Sequence, residues 1–324
     1  EYLNNMLVNV LNVSPIPYEL CHSPFQTSAD GVSGIINLPA LFIVAIISLL
    51  LIKGTQESAF VNGIIVIVKV AIVVMIIVFG WGFINPDNHA NYIPEPSVFT
   101  DDSGVGHNFG GLMGILGAAG TVFFAFIGFD AVSTAAQETK NPKRDMPIGI
   151  LGSLLICTIL YVLFSHVLTG LADVEFFRDP TKGGEASVVA AISAGMPASY
   201  SWLSKSVTVA ILAGFSSVIL VMLLGQSRVF YSMSKDGLLP RVFSDLHPKY
   251  KTPYKGNLVI LILVGLFAAF VPGDVVGHMT SIGTLFAFML VCLAVIILRK
   301  KEPNLKRQFK TPLVPFIPIL GILA

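Results

Sequence analysis

Gly120-Thr121-Val122-Phe123-Phe124-Ala125-Phe126-Ile127-Gly128-Phe129-Asp130-Ala131-Val132-Ser133-Thr134-Ala135-Ala136-Gln137-Glu138 is the stretch on which the reading of this chain turns. An apolar, glycine-rich run from Gly110 leads into it, so it begins as a membrane-spanning helix does. Midway stand Gly128 and Asp130. A carboxylate in hydrocarbon costs several kcal/mol unless it faces protein or a cavity. Glycine lowers the cost of leaving the helix, and an opened turn exposes carbonyls and amides, tolerated at membrane depth only where they line a cavity or are buried in protein. Two half-helices that meet at the midplane bring their dipole ends to one point, an arrangement that holds a charged solute. The alternative is a continuous span, with Asp130 near the inner surface and glycines that serve only close packing. The stretch by itself leaves both open.

Composition decides the class. Hydrophobic residues make up 54% of the chain and charged ones 12%, and the mean hydropathy is +0.79, which excludes an ordinary soluble domain. A net charge of +1 indicates no class of partner, and Cys21, Cys157 and Cys292 are too scattered for a disulfide framework or a metal site. Spans are expected at about 36–52, 61–84, 110–138, 146–169, 205–231, 257–271 and 281–298, most of them with the roughly 20 apolar residues that a bilayer needs. The segment 257–271 is short for a span. Tyr2 to Leu11 reads as the last turns of a helix, and a run from Leu313 ends at Ala324 too soon to cross, so a partial chain is expected.

Charge placement orients the spans. When the loops are assigned alternately to two sides, sixteen of the twenty Lys and Arg residues fall on one side, in clusters around Lys143, Lys251 and Lys300. The other side receives only Arg178, Lys182 and Lys205. The positive-inside rule makes the first side cytoplasmic. The remaining cation, Lys69, lies inside the span Ile65-Val66-Ile67-Val68-Lys69-Val70-Ala71-Ile72. It sits about 12 Å deep at 1.5 Å per residue. Its stem can snorkel part of that distance, or full burial can disfavour the charged form so that the residue loads and releases a proton.

Weaker candidates are His166, near the outer end of its span, and Ser216 and Ser217, whose hydroxyls can bond back to their own helix or line a site. Basic residues from Lys249 to Lys255 read as solvated and topogenic, with anionic lipid as an alternative contact. There is no phosphate-cradling loop, zinc spacing or nucleophile constellation. No enzyme, catalytic residue, cofactor, metal or nucleic-acid partner is therefore expected.

The segment Phe123 to Thr134, with Glu138 and Asn141-Pro142, resembles the amino acid–polyamine–organocation superfamily, in particular its cationic amino acid transporter branch with the bacterial permeases. Agreement extends to the span around Lys69, to Gln226-Ser227-Arg228-Val229-Phe230-Tyr231 with Lys235-Asp236-Gly237-Leu238-Leu239-Pro240 after it, and to Leu298-Arg299-Lys300, so it covers nearly the whole chain. The resemblance implies an all-α membrane protein of the leucine-transporter type, with two inverted five-helix repeats. On that map the chain is truncated, from the end of span 3 to the start of span 11. Residues 1–84 are the remainder of the first inverted repeat, 110–298 the second, and 313–324 the start of a truncated span.

It also implies roles. The carbonyls of Phe124, Ala125 and Ile127 receive a substrate ammonium, with Phe126 and Gly128 in the same substrate-binding turn and Phe124 as a gate. Asp130 braces the unwound turn, and Met222 lines the side-chain pocket. Lys69 stands where sodium-coupled relatives hold an ion, with Ser216 or Ser217 beside it. The implied function is a secondary active amino acid permease of the plasma (inner) membrane that works by alternating access. Its partners are an amino acid, cationic ones included, the proton and the lipid bilayer. Exchange without proton coupling is the alternative, and a channel the rival class. A channel needs a polar stripe through several spans, whereas the intramembrane ionisable residues lie in two. An intramembrane aspartyl protease needs two aspartates, and a structural subunit has no use for a buried Lys69 with a broken span.

Overall fold

Asn37 caps the first of the long helices. Its side-chain oxygen accepts from the Ala40 N–H at 3.1 Å, and Pro39 occupies a first-turn position where no donor is needed. The computed structural model describes residues 2–28, 31–54, 56–100, 106–129, 139, 141–178, 187–307 and 310–323. A short α1 (Tyr2–Asn9) precedes the capped helix α2 (Leu38–Lys53), which has 16 residues and ends at Gly54. Next come α3 (Gln56–Gly80, 25 residues) and two 3-10 turns, Trp81–Phe83 and Pro86–His89. An antiparallel hairpin, β1 (Ser97–Thr100) with β2 (Gly106–Phe109), leads directly into α4 (Gly111–Val122). Then follow α5 (Pro142–Leu171), α6 (Val174–Arg178), α7 (Ser187–Gly195) and the 35-residue α8 (Ser201–Lys235). The last helices are α9 (Tyr254–Phe270, 17 residues), α10 (Gly273–Lys301) and α11 (Phe316–Leu323).

Each span expected from the sequence contains a helix, and the short segment 257–271 is α9. Among the described residues four helices are long and apolar enough to cross a membrane, Asn62–Phe83, Pro142–Leu171, Ala198–Lys235 and Val275–Lys301, while α2, α4 with its following turn, and α9 are shorter apolar helices. The hairpin, α6 and α7 were not anticipated. Four-residue strands and helices of 5 and 9 residues carry too few periods of any pattern to stand out from loop sequence.

The chain divides into two compact units, Glu1–Tyr92 with Leu155–Pro272, and Ile93–Leu154 with Gly273–Ala324. In the first unit α8 is the spine, against which α1, α2, α3, α7 and α9 pack, and α2 also lies along α9. One core cluster joins Ile76 and Ile77 of α3, Val167 and Leu171 of α5, Ile192 of α7, and Leu203 and Val207 of α8. Close approach is possible because Gly80 has no side chain, since a Cβ there would lie 2.6 Å from Val167 Cγ1. A second cluster joins Ile47 and Leu51 of α2, Leu223 of α8 and Ile260 of α9. In the second unit α10 packs against α4, the turn after it, and α11.

Candidate functional site

The helix α4 stops at Val122 and the chain tightens into a 3-10 turn over Phe123–Phe126. The Ile127 N–H donates to the Phe124 carbonyl at 3.2 Å, and Ile127 itself is extended at φ −62° and ψ 132°. Gly128 then takes φ +122°, a region that a side chain strains and glycine enters freely. The chain therefore leaves the helix where the sequence places its glycine. Phe288 of α10 meets Phe123 edge-on at 5.8 Å and Phe129 at 5.3 Å, so one ring holds both sides of the turn. Such pairs contribute about 0.5–1.5 kcal/mol each beyond area burial. Phe124 is left 52% exposed. Its carbonyl, after the bond to Ile127, keeps a second lone pair, and the negative end of the α4 dipole falls on this turn. Asp130 and the rest of the stretch to Glu138 lie outside the described residues.

Lys69 belongs to the first unit, as do Ser216, Ser217 and Met222, whereas Phe124 to Gly128 belong to the second. On α3, Asn62 and Lys69 are seven residues apart and share a face. Helix α8 runs antiparallel to that face. Gly214 lies against Lys69, where an added Cβ would come 2.9 Å from the lysine Cδ, so the missing side chain is what lets the lysine stem lie across α8. One turn further on, the Ser217 hydroxyl donates to Asn62 Oδ1, and Ser217 is only 4% exposed. Ser216 turns the other way and gives its hydrogen to its own helix, to the Leu212 carbonyl at 3.0 Å. Of the two serines, only Ser217 thus reaches α3. Met222 is half-buried, and it stands about 140° around the helix from Ser217 at 100° per residue, off the face that carries Ser217.

Asn62 is the member of this face that sequence reading passed over. Its signal was available as a polar side chain two turns before Lys69 in an otherwise apolar span. Among the described residues no three His, Cys, Asp or Glu side chains gather to hold a metal. Of the basic run, Lys255 pairs with Asp245 at 2.7 Å and Lys249 lies over the Tyr250 ring at 5.5 Å.

A family model described as "Amino acid permease" matches residues 25–324. The chain belongs to that family. Among curated relatives, the branched-chain amino acid permease BcaP of Bacillus subtilis (strain 168) is 41% identical over 308 residues, which is 95% of this chain and 61% of the relative. The methylthioribose transporter of the same organism is 35% identical over 304 residues, 91% of this chain and 59% of the relative. The vacuolar cationic amino acid transporter 4 of Arabidopsis thaliana is 34% identical over 285 residues, 86% of this chain and 44% of the relative. The chain thus spans about three fifths or less of the length of these relatives. The family falls within the amino acid–polyamine–organocation superfamily, whose fold is all-α and membrane-spanning. The transporter-type fold inferred from the sequence resemblance is the fold of the family.

Proposed function

We infer that the full-length protein is a secondary active amino acid transporter of the plasma membrane that alternates access around the turn at Phe123–Gly128. The observation that carries this reading is the end of α4, where Ile127 and Gly128 leave the helix inside an apolar segment. Carbonyls at the negative end of a helix dipole suit an ammonium group. Phe124, Ala125, Phe126, Ile127 and Gly128 form the binding turn in this reading, and Asp130 is assigned to brace it. Residues 1–84 complete a first inverted repeat, 110–298 form the second, and 313–324 open a further span. The branched-chain permease and the cationic transporter among the relatives are named for amino acids, and both kinds of substrate carry the same ammonium and carboxylate.

Lys69 supplies the coupling. Neutral lysine avoids most of the cost of losing water, while the protonated form needs oxygens around it. Protonation and close packing of α3 on α8 therefore favour one another, a linkage that is reciprocal. Each tenfold bias between two conformations corresponds to about 1.4 kcal/mol. Reconstituted into proteoliposomes, the full-length protein should accumulate labelled amino acids faster under an inward proton gradient. Lys69→Ala should lose that acceleration while amino acid exchange survives. Undiminished pH-driven accumulation in Lys69→Ala would remove Lys69 from coupling, and absence of any amino acid uptake by the wild type would remove the transport reading itself.

A further inference from the structure

The connection from α3 to β1 is clamped onto the last turns of α5. The Asn85 N–H and the Asn88 side-chain amide both donate to the Gly170 carbonyl, at 3.0 and 2.9 Å. Gly170 has no Cβ, and one placed there would lie 2.8 Å from Ile84 Cγ2 and 3.1 Å from His89 Cε1. The groups of this anchor are amides and a carbonyl, and a histidine borders it. Beyond the anchor, the His89 and His166 rings stack with centroids 4.5 Å apart and planes 24° from parallel. Tyr92 closes over the pair, with its hydroxyl 2.9 Å from His166 Nδ1 and its ring 5.1 Å from that of His89. Trp81 covers His166 at 5.4 Å.

The Thr169 hydroxyl lies between its own helix and the connection, 2.9 Å from the Ser165 carbonyl, 3.3 Å from that of His166 and 3.1 Å from His89 Nε2.

We propose that His89, His166 and Tyr92 form an acid-sensitive latch, which holds the connection against α5 and releases it when both imidazoles are protonated. Imidazole is the side chain whose ordinary titration range falls near neutrality. A first proton leaves an imidazolium facing a neutral ring, which stacking tolerates. A second places two like charges at stacking distance, where they repel. The titratable groups set against the pair are few. Tyr92 and Asp87 lie on the same connection, Asp87 two residues before His89, and from Val162 to Leu171 α5 offers none besides His166. The nearby 3-10 turn ahead of α8 contributes Tyr200, whose ring meets Phe83 at 5.2 Å. Among the described residues no carboxylate bonds to either imidazole to offset a doubly charged pair.

Release is confined to Ala90–Tyr92, because the bonds of Asn85 and Asn88 to Gly170 are insensitive to pH. Tyr92 is the residue at which the chain leaves the first unit. The charge distribution assigns this end of α3 and α5 to the exterior, so the latch reads external acidity. This inference goes beyond the transport reading and is tested without substrate. A nitroxide on Asn91→Cys in the full-length protein, otherwise cysteine-free and held in lipid nanodiscs, is followed by electron paramagnetic resonance from about pH 8 to about pH 5, the range that brackets imidazole. The expected result is a mobile spectral component that grows on acidification and is lost in both His89→Gln and His166→Gln, each of which leaves a single titratable ring. A spectrum unchanged with pH, or an acid response retained in either variant, overturns the latch. Uptake is not read, so failure here leaves the transport reading standing, and failure of uptake leaves the latch standing.

Discussion

Phe124 keeps half of its surface while the rings on either side of it are drawn toward Phe288. That contrast separates a functional test from a structural one. Truncating a fully buried Phe costs about 3–5 kcal/mol, whereas Phe124→Ala should cost less than about 1 kcal/mol in thermal unfolding, as surface substitutions generally do. Amino acid uptake by the full-length variant should nevertheless fall severalfold or more. Wild-type-like uptake in a well-folded Phe124→Ala would take this ring out of the site. At this scale the sequence was informative where chemistry was conspicuous. Gly128 beside an apolar run marked where a departure from the helix was one of two open readings, and Lys69 stood out as a lone cation. Asn62 did not, because an uncharged amide near a span end resembles ordinary solvated polarity until the partner helix is known.

Between elements, Ser216 and Ser217 form a natural control. They are adjacent, chemically identical and on one helix, yet only Ser217 bonds across to α3. Ser217→Ala leaves the Asn62 oxygen without its donor and should lower stability by about 0.5–2 kcal/mol, the range of interhelical hydrogen bonds in membranes. Ser216→Ala should change it by no more than a few tenths, since a hydroxyl that bonds back to its own helix slightly weakens that helix. Thermal unfolding in detergent reads both, and equal shifts would refute the antiparallel register of Asn62 with Ser217. Helix positions were legible because most spans have a long apolar run between charged or glycine-bearing ends; 257–271 was the weakest of them, and it holds the 17-residue α9. The β1–β2 hairpin and α7 were illegible, since their stability comes from packing on neighbours and not from any local pattern. Facing directions on α8 were illegible as well. The hydroxyls of Ser216 and Ser217 look alike until Gly214 and Lys69 fix which side of the helix meets α3.

For the molecule in its membrane, the charge count makes a prediction that the helix positions alone do not. In the full-length protein, cysteines placed at Asp87 and Gly273 should react with an impermeant thiol reagent added outside intact cells, and one placed at Ser244 should not. Labelling of Ser244→Cys from outside would reverse the orientation. The native Cys21, on the same side as Asp87, should contribute little background. Burial pushes its thiol up from the usual range, and the thiolate is the reactive form. The packing of α2 along α9 has a consequence for the lipid around it. These helices have 16 and 17 residues, or about 24 and 26 Å at 1.5 Å per residue, against a hydrocarbon core of about 30 Å. Because the two short helices are partners, their shortfalls coincide along one flank and are not averaged around the perimeter. Where these two helices face lipid in the full-length protein, the shortfall is met by local thinning of the bilayer, by flanking side chains that reach the interface or by association with another helix.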